Sequence, residues 1–258
     1  MAQDTVKLPV NSHPPVLFEI AKRIFDLVIS ASLLLILAIP LLIVALLVKL
    51  TSPGRVFYVQ RRVGLHGQFF NVFKFRTMVS DADRNGPLCT AADDNRITPF
   101  GRFLRNNKID EIPQLFNVMR GEMSLVGPRP QVPRFVENFP PDLRDVVLSV
   151  RPGVTGPTQL HYRDEETLLQ DRADRETYYI SELLPRKCRM DYDYVVNRSA
   201  SRDLTVLFTT AWVVVLGLIR RFTKKANRAL AVIPAEAVVA TVGSHDRDDP
   251  ASDVPVLR

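Results

Sequence analysis

The chain has 258 residues, enough for one large domain or two small ones with a core of ordinary size. Its 34 Lys and Arg exceed its 28 Asp and Glu by six, so an anionic partner is expected: nucleic acid, anionic lipid or a phosphorylated substrate. Cys89 and Cys188 lack CxxC spacing and a zinc-like histidine pattern, which argues against a disulfide framework or a zinc site and for reduced thiols in a cytosol-facing domain.

Apolar residues make up 46% of the chain but cluster in residues 24–50 and 204–219, which suggests lipid before it suggests a core. The stretch 24–50, IFDLVISASLLLILAIPLLIVALLVKL, exceeds the roughly 20 residues that cross a bilayer and is longer than the apolar part of a signal peptide. Pro40 removes a helical hydrogen bond, frees the carbonyl of Ile36 and predicts a kink. Lys22 and Arg23 precede the segment, and Lys49, Arg55, Arg61 and Arg62 follow it; positive flanks favour the cytoplasm. A helix that enters, bends and returns to the same leaflet satisfies both flanks, whereas a spanning helix with a tolerated proline leaves one outside. Asp26, one turn inside the apolar run, is read as a helix-entry ion pair with Lys22 or Arg23.

Alternation at Val56, Tyr58 and residues 69–75, around a glycine-containing turn at 64–67, predicts a β-hairpin. Lys74 and Arg76 near its end share a strand face, either to meet one phosphate jointly or as an exposed basic edge. Residues 80–94 read as a helix start passing into a surface loop. Next, ITPFGRFLRNNKIDEIPQLFNVMRGEMS (97–124) predicts two short helices joined near 106–108, with Pro113 near the start of the second. Asp110 and Glu111 then fall in a first helical turn, where the dipole favours the ionised form. Such a pair is ordinarily a helix cap, but it also suits a carboxylate nucleophile or a magnesium ligand.

Gly127, Pro128, Arg129 and Pro130 predict a stiff turn presenting an arginine, and residues 150–156 a second one carrying Arg151. Residues 164–190 read as charged, mainly helical and concerned with packing. Residues 204–219, followed by Arg220, Arg221, Lys224 and Lys225, fit an interfacial helix with a basic end. Residues 227–258 read as a poorly ordered tail. No Walker or Rossmann glycine pattern occurs, and the absence of a base-stacking module argues against nucleic acid.

Together, KRIFD (22–26), FKFRTM (73–78), DEIPQLFNVMRGEMSLVGPRP (110–130), RPGVTG (151–156) and, more loosely, YVVNRS (194–199) resemble the bacterial sugar transferase family, the monotopic phosphoglycosyl transferases. The resemblance covers roughly residues 18–221. It implies an α+β fold: a re-entrant membrane helix broken at Pro40, a mainly helical cytosolic catalytic domain with a small β-hairpin, and interfacial amphipathic helices. The implied organisation is an N-terminal extension (1–17), the re-entrant helix (18–50), the catalytic domain (51–226, with its interfacial helix at 204–221) and the tail (227–258).

The resemblance also implies transfer of a hexose-1-phosphate from a UDP-sugar to undecaprenyl phosphate with release of UMP, the first step of a lipid-linked glycan such as exopolysaccharide, capsule, O-antigen or a glycoprotein glycan. Asp110 is then the nucleophile of a ping-pong reaction through an acyl-phosphate, with Glu111 assisting Mg2+ binding or proton handling and Asp110 also meeting the metal. Lys74, Arg76 and Arg105 match as phosphate-facing cations and Arg129, between Pro128 and Pro130, as the nucleotide holder. Arg151 joins the substrate set, and Arg163 matches a family arginine by spacing. The implied place is the bacterial cytoplasmic (inner) membrane with the catalytic domain facing the cytoplasm. The bilayer and downstream membrane glycosyltransferases are its partners, and a homo-oligomer is left open. Two departures are visible: Ile39 replaces the serine of the family's Ser-Pro break, and Pro157-Thr158-Gln159 replaces Trp-Ala-Gln.

Overall fold

The computed structural model describes residues 15–80, 82, 90–91, 94–170, 172 and 174–230, with the side chains of 218 and 220–230 excepted. The chain divides into two units, Met1–Val214 and Val215–Arg258, and of the second only the continuation of the last helix to Leu230 is described. The loop expected at 80–94 and the tail beyond Leu230 lie largely outside the described residues.

The first elements among the described residues are two apolar helices, α1 (Val16–Ile36) and α2 (Ala38–Thr51), bent by 64° at Leu37. The break falls one turn before Pro40, as expected when a proline deprives the carbonyl four residues earlier of its donor. Leu35, Ile36, Ile39, Leu42 and Leu50 all point outward. The inward stripe of α1 carries Asp26 and Ser30, both buried. Asp26 is more than a helix-entry pair: it accepts from Ser124 Oγ at 2.7 Å and from the Leu125 amide at 3.3 Å, while Lys22 lies 3.9 Å away and turns to Asp203 at 2.6 Å. A buried carboxylate thus pins the helix to the domain, a costly placement that only such pairing sustains.

The expected hairpin is present as β1 (Phe57–Val63) and β2 (Phe69–Phe75), antiparallel, joined through a 3-10 turn at Leu65–Gly67. Its faces do not separate into apolar and polar: Phe57, Val59 and Phe69 are exposed, while Tyr58, Gln60, Arg62 and Lys74 are half-buried on one face with the buried Val72. Helix α3 (Pro99–Asn106) follows, capped by Thr98, whose Oγ1 accepts from the Gly101 amide at 2.9 Å, with Pro99 in its first turn. Helix α4 (Gln114–Arg120) ends at Gly121, whose φ of 84° is the left-handed conformation that glycine adopts without strain.

The second arginine turn leads into a two-stranded parallel sheet: β3 (Ser124–Val126) pairs with β4 (Gly153–Thr155). A Cβ on Gly153 would lie 2.1 Å from the Gly127 nitrogen, so only glycine lets the two turns lock together. Small helices α5 (Pro133–Val136), α6 (Pro141–Val147), α7 (Pro157–His161), α8 (Glu165–Leu168) and α9 (Arg175–Tyr178) surround them. One core layer gathers Val132, Phe135, Leu143, Tyr179 and Leu184, and another joins Leu115, Leu125, Val150 and Tyr194. After a π-helical turn at Tyr179–Leu183 come α10 (Leu184–Val196) and α11 (Ala200–Leu230). The last helix is longer at both ends than the expected 204–221, and its residues 200–217 are apolar enough to meet a membrane, with Phe208 and Trp212 exposed.

Candidate active site

Asp110 and Glu111 sit in a separate 3-10 turn, Ile109–Glu111, and not in the first turn of α4 as expected. The cause is Lys108, whose φ of 56° is left-handed and reverses the chain after α3. That conformation costs a lysine on the order of 1 kcal/mol, so the surrounding packing must hold it. The reversal buries Asp110, which is 7% exposed with Oδ1 lacking any hydrogen-bond partner among the described residues.

Glu111 is the hub of the basic set. Lys74 Nζ donates to its Oε1 at 2.7 Å, and Arg129 Nη2 donates to the same oxygen at 2.9 Å. Arg62 stands behind them, donating to the Pro130 carbonyl at 3.0 Å and to Gln60. Pro128 and Pro130 therefore fix Arg129 in a loop anchored on both sides, by Gly153 N to the Pro128 carbonyl at 2.8 Å and by Arg62 to that of Pro130.

These contacts split the electrostatics of the two carboxylates. Burial alone would push both up, but Arg129 and Lys74 hold Glu111 well below the usual carboxylate range. Asp110 goes the other way: burial and then the neighbouring Glu111 raise it, against Lys74, Arg105 and Lys108. The expectation that a helix dipole would keep Asp110 ionised is thus reversed, because burial outweighs a dipole whose end it does not occupy. Burial, then Arg129, pushes Arg62 down to about 10. Burial also lowers Lys74, partly offset by Glu111. Glu111 is the anion that lets Lys74 and Arg129 stand this close together.

The remaining expected residues are dispersed. Arg76 does not accompany Lys74: it donates to the carbonyls of Ser52 and Pro53, at 2.7 and 2.8 Å, and fastens the end of α2. Arg105 is within electrostatic reach of Asp110 but is paired with Glu166 of α8. Arg151 donates through Nε to the Gly121 carbonyl at 2.8 Å. Arg163, in the turn before α8, makes no hydrogen bond or ion pair among the described residues.

Several contributors are not evident from the sequence. Arg62 reads there only as a membrane flank, although the hairpin alternation puts it on the face of Lys74. Asn117, fully buried, accepts from the Phe73 amide at 3.1 Å and donates to the Asn71 carbonyl at 2.6 Å, joining α4 to β2. Residues 164–190 do more than pack. Glu166 holds Arg105, Glu165 pairs with buried Lys187, which donates to Tyr179 Oη at 3.1 Å, and Tyr179 reaches Gln131 at 3.3 Å, beside the Arg129 loop. No local pattern marks these residues, because their partners are distant in sequence.

Among the described residues no cluster of three or more His, Cys, Asp or Glu forms a ready-made metal cage. The orphaned Asp110 oxygen beside Glu111 nonetheless suits magnesium, which commonly takes one or two protein carboxylates and completes its shell with substrate phosphates and water.

Comparison with known proteins places this geometry in context. The profile of the family described as bacterial sugar transferase matches residues 17–217. An undecaprenyl-phosphate glucose phosphotransferase of Komagataeibacter xylinus is 40% identical over 200 residues, which cover 73% of this chain and 35% of the relative. A UDP-glucose:undecaprenyl-phosphate glucose-1-phosphate transferase of Caulobacter vibrioides is 37% identical over 204 residues, 78% of this chain and 72% of the relative. An undecaprenyl-phosphate galactose phosphotransferase of Salmonella typhimurium is 37% identical over 208 residues, 75% of this chain and 40% of the relative. The chain thus matches well under half the length of the first and third of these relatives.

Proposed function

Since this chain belongs to the bacterial sugar transferase family, we propose that it transfers a sugar-1-phosphate from a UDP-sugar to undecaprenyl phosphate with release of UMP. The observation that carries the reading is the buried Asp110 with an unbonded oxygen, beside a Glu111 already neutralised by Lys74 and Arg129. Asp110 Oδ attacks the phosphorus that bears the sugar, the pyrophosphate P–O bond breaks, and UMP leaves with the bridging oxygen. An oxygen of undecaprenyl phosphate then attacks the same phosphorus and expels the Asp110 carboxylate, a ping-pong sequence. Lys74 and Arg129 orient the donor phosphates, and Glu111 keeps both cations aimed. Mg2+, held by Asp110 and assisted by Glu111, supplies Lewis-acid stabilisation of phosphate charge when bound.

The bent apolar pair α1 and α2, with its outward side chains and its basic flanks on both sides, supports a re-entrant helix in the bacterial inner membrane and a catalytic domain on the cytoplasmic side. The relatives are named for different sugars, glucose and galactose, so the donor is proposed only as a UDP-sugar. The test is Asp110→Asn in purified full-length protein supplied with UDP-sugars, undecaprenyl phosphate and Mg2+. UMP release is expected to fall at least about a thousandfold with membrane insertion unchanged; release near the wild-type rate refutes the nucleophile.

A further inference from the structure

A second cleft, of about 410 Å³, opens beside the first turns of α1, and neither Asp110 nor Glu111 lines it. Four cations face it: Lys22 and Arg23 from α1, Arg151 from the turn before β4, and Arg198 just beyond α10. Two of them are neutralised locally. Lys22 bonds Asp203 at 2.6 Å, and Arg198 pairs with Glu19. The remaining acid of the wall, Asp26, is occupied by Ser124 and the Leu125 amide.

Arg23 and Arg151 contact no carboxylate among the described residues. Their bonded donors end on backbone carbonyls around the C-terminus of α4: Val118 at 2.7 Å, Met119 at 3.3 Å and Gly121 at 2.8 Å. They are close enough for the charge of one to act on the other. Capping of α4 does not account for both. A helix C-terminus carries at most about half a negative charge, whereas two guanidiniums bring two positive ones. Asp26 acts on Arg23 through space, but the pair stays under-neutralised. Arg151 commits only Nε, so its two terminal nitrogens are a fork without a partner among the described residues, the geometry that grips a phosphate.

At the rim of the cleft Val16 is 75% exposed, and Ile20, one turn further along α1, is 52% exposed. A cationic cleft next to exposed aliphatic side chains fits an amphiphile with an anionic head. We propose that the cleft binds the phosphate of a lipid headgroup between Arg151 and Arg23, with the hydrocarbon chain leaving over Val16 and Ile20. The inference does not depend on the chemistry assigned to Asp110, since it concerns binding alone. Two lipids carry this chemistry, an anionic membrane phospholipid and a polyprenyl monophosphate.

The test is native mass spectrometry of the full-length protein released from nanodiscs of phosphatidylcholine containing phosphatidylglycerol. Wild type is expected to retain phosphatidylglycerol over phosphatidylcholine, with Arg151→Gln retaining about tenfold less and Arg151→Lys lying between. Ser149→Glu, which places an acid in the cleft wall and leaves both arginines on their carbonyls, is expected to lose the lipid as well. Titration with a short polyprenyl monophosphate separates the sources. Displacement identifies the cleft as a polyprenyl-phosphate site and resistance as a phospholipid site, and either upholds the proposal. Equal retention by wild type and both charge-altering variants overturns it, as does displacement by inorganic phosphate at the concentration at which the lipid phosphate acts.

Discussion

Asp110 and Glu111 are adjacent in the chain yet titrate in opposite directions, because Glu111 takes Lys74 and Arg129 and leaves Asp110 buried beside a fixed negative charge. On the proposed mechanism a carboxyl raised this way must lose its proton before it attacks, so activity should have an acidic limb set by Asp110. Lys74→Met removes a charge that lowers Asp110 and is expected to move that limb to higher pH. Glu111→Gln removes the neighbouring negative charge and should move it to lower pH, while also costing about tenfold to a hundredfold in rate through misaligned cations. The pH dependence of kcat/KM for UMP release reads both, and limbs that move together would contradict the arrangement.

Helices α1 and α2 show how one residue shapes an element at a distance. The bend lies at Leu37, yet its cause is the missing amide of Pro40, and Ile39 brings no hydroxyl to the freed Ile36 carbonyl. Pro40→Ala restores that bond and is expected to straighten the pair toward a spanning helix. A cysteine placed at Ala2 should then be labelled from outside intact cells in the alanine variant and remain unlabelled in the parent. At α8, Glu166 occupies the guanidinium of Arg105, which the family resemblance assigns to phosphate. On the proposed function, a donor diphosphate that reaches Arg105 must break this pair. Glu166→Gln is accordingly expected to lower the donor KM about threefold to tenfold with little change in kcat, measured with a saturating acceptor.

Across the molecule, polar side chains bridge elements far apart in sequence. Thr158 of α7 donates to Asp191 of α10, both buried, and burial pushes Asp191 up to about 7, against Thr158, Lys187 and Arg129. An acid whose folded value is raised contributes most below its unfolded value, about 4, and that contribution is lost as pH rises through 7. Asp191→Asn escapes this loss. Its melting temperature should exceed the parent's by roughly 3–6 °C at pH 8, with the gap narrowing to about a third of that at pH 5, as thermal melts at the two pH values can check.

Alternation, proline and glycine placement and apolar runs are enough to read the hairpin, the broken N-terminal helix, α3 and the Asp110-Glu111 pair from sequence. Each of these rests on contacts within a few residues, where spacing alone fixes geometry. Only the tertiary structure decided who partners whom. It sent Arg76 to the end of α2, Arg129 and Lys74 to Glu111, Arg105 to Glu166, and left Asp110 buried and unbonded. It also paired β3 with β4, a match across 29 residues between Ser124 and Gly153. Those choices depend on burial and on which charges meet across long loops, and no local pattern encodes either.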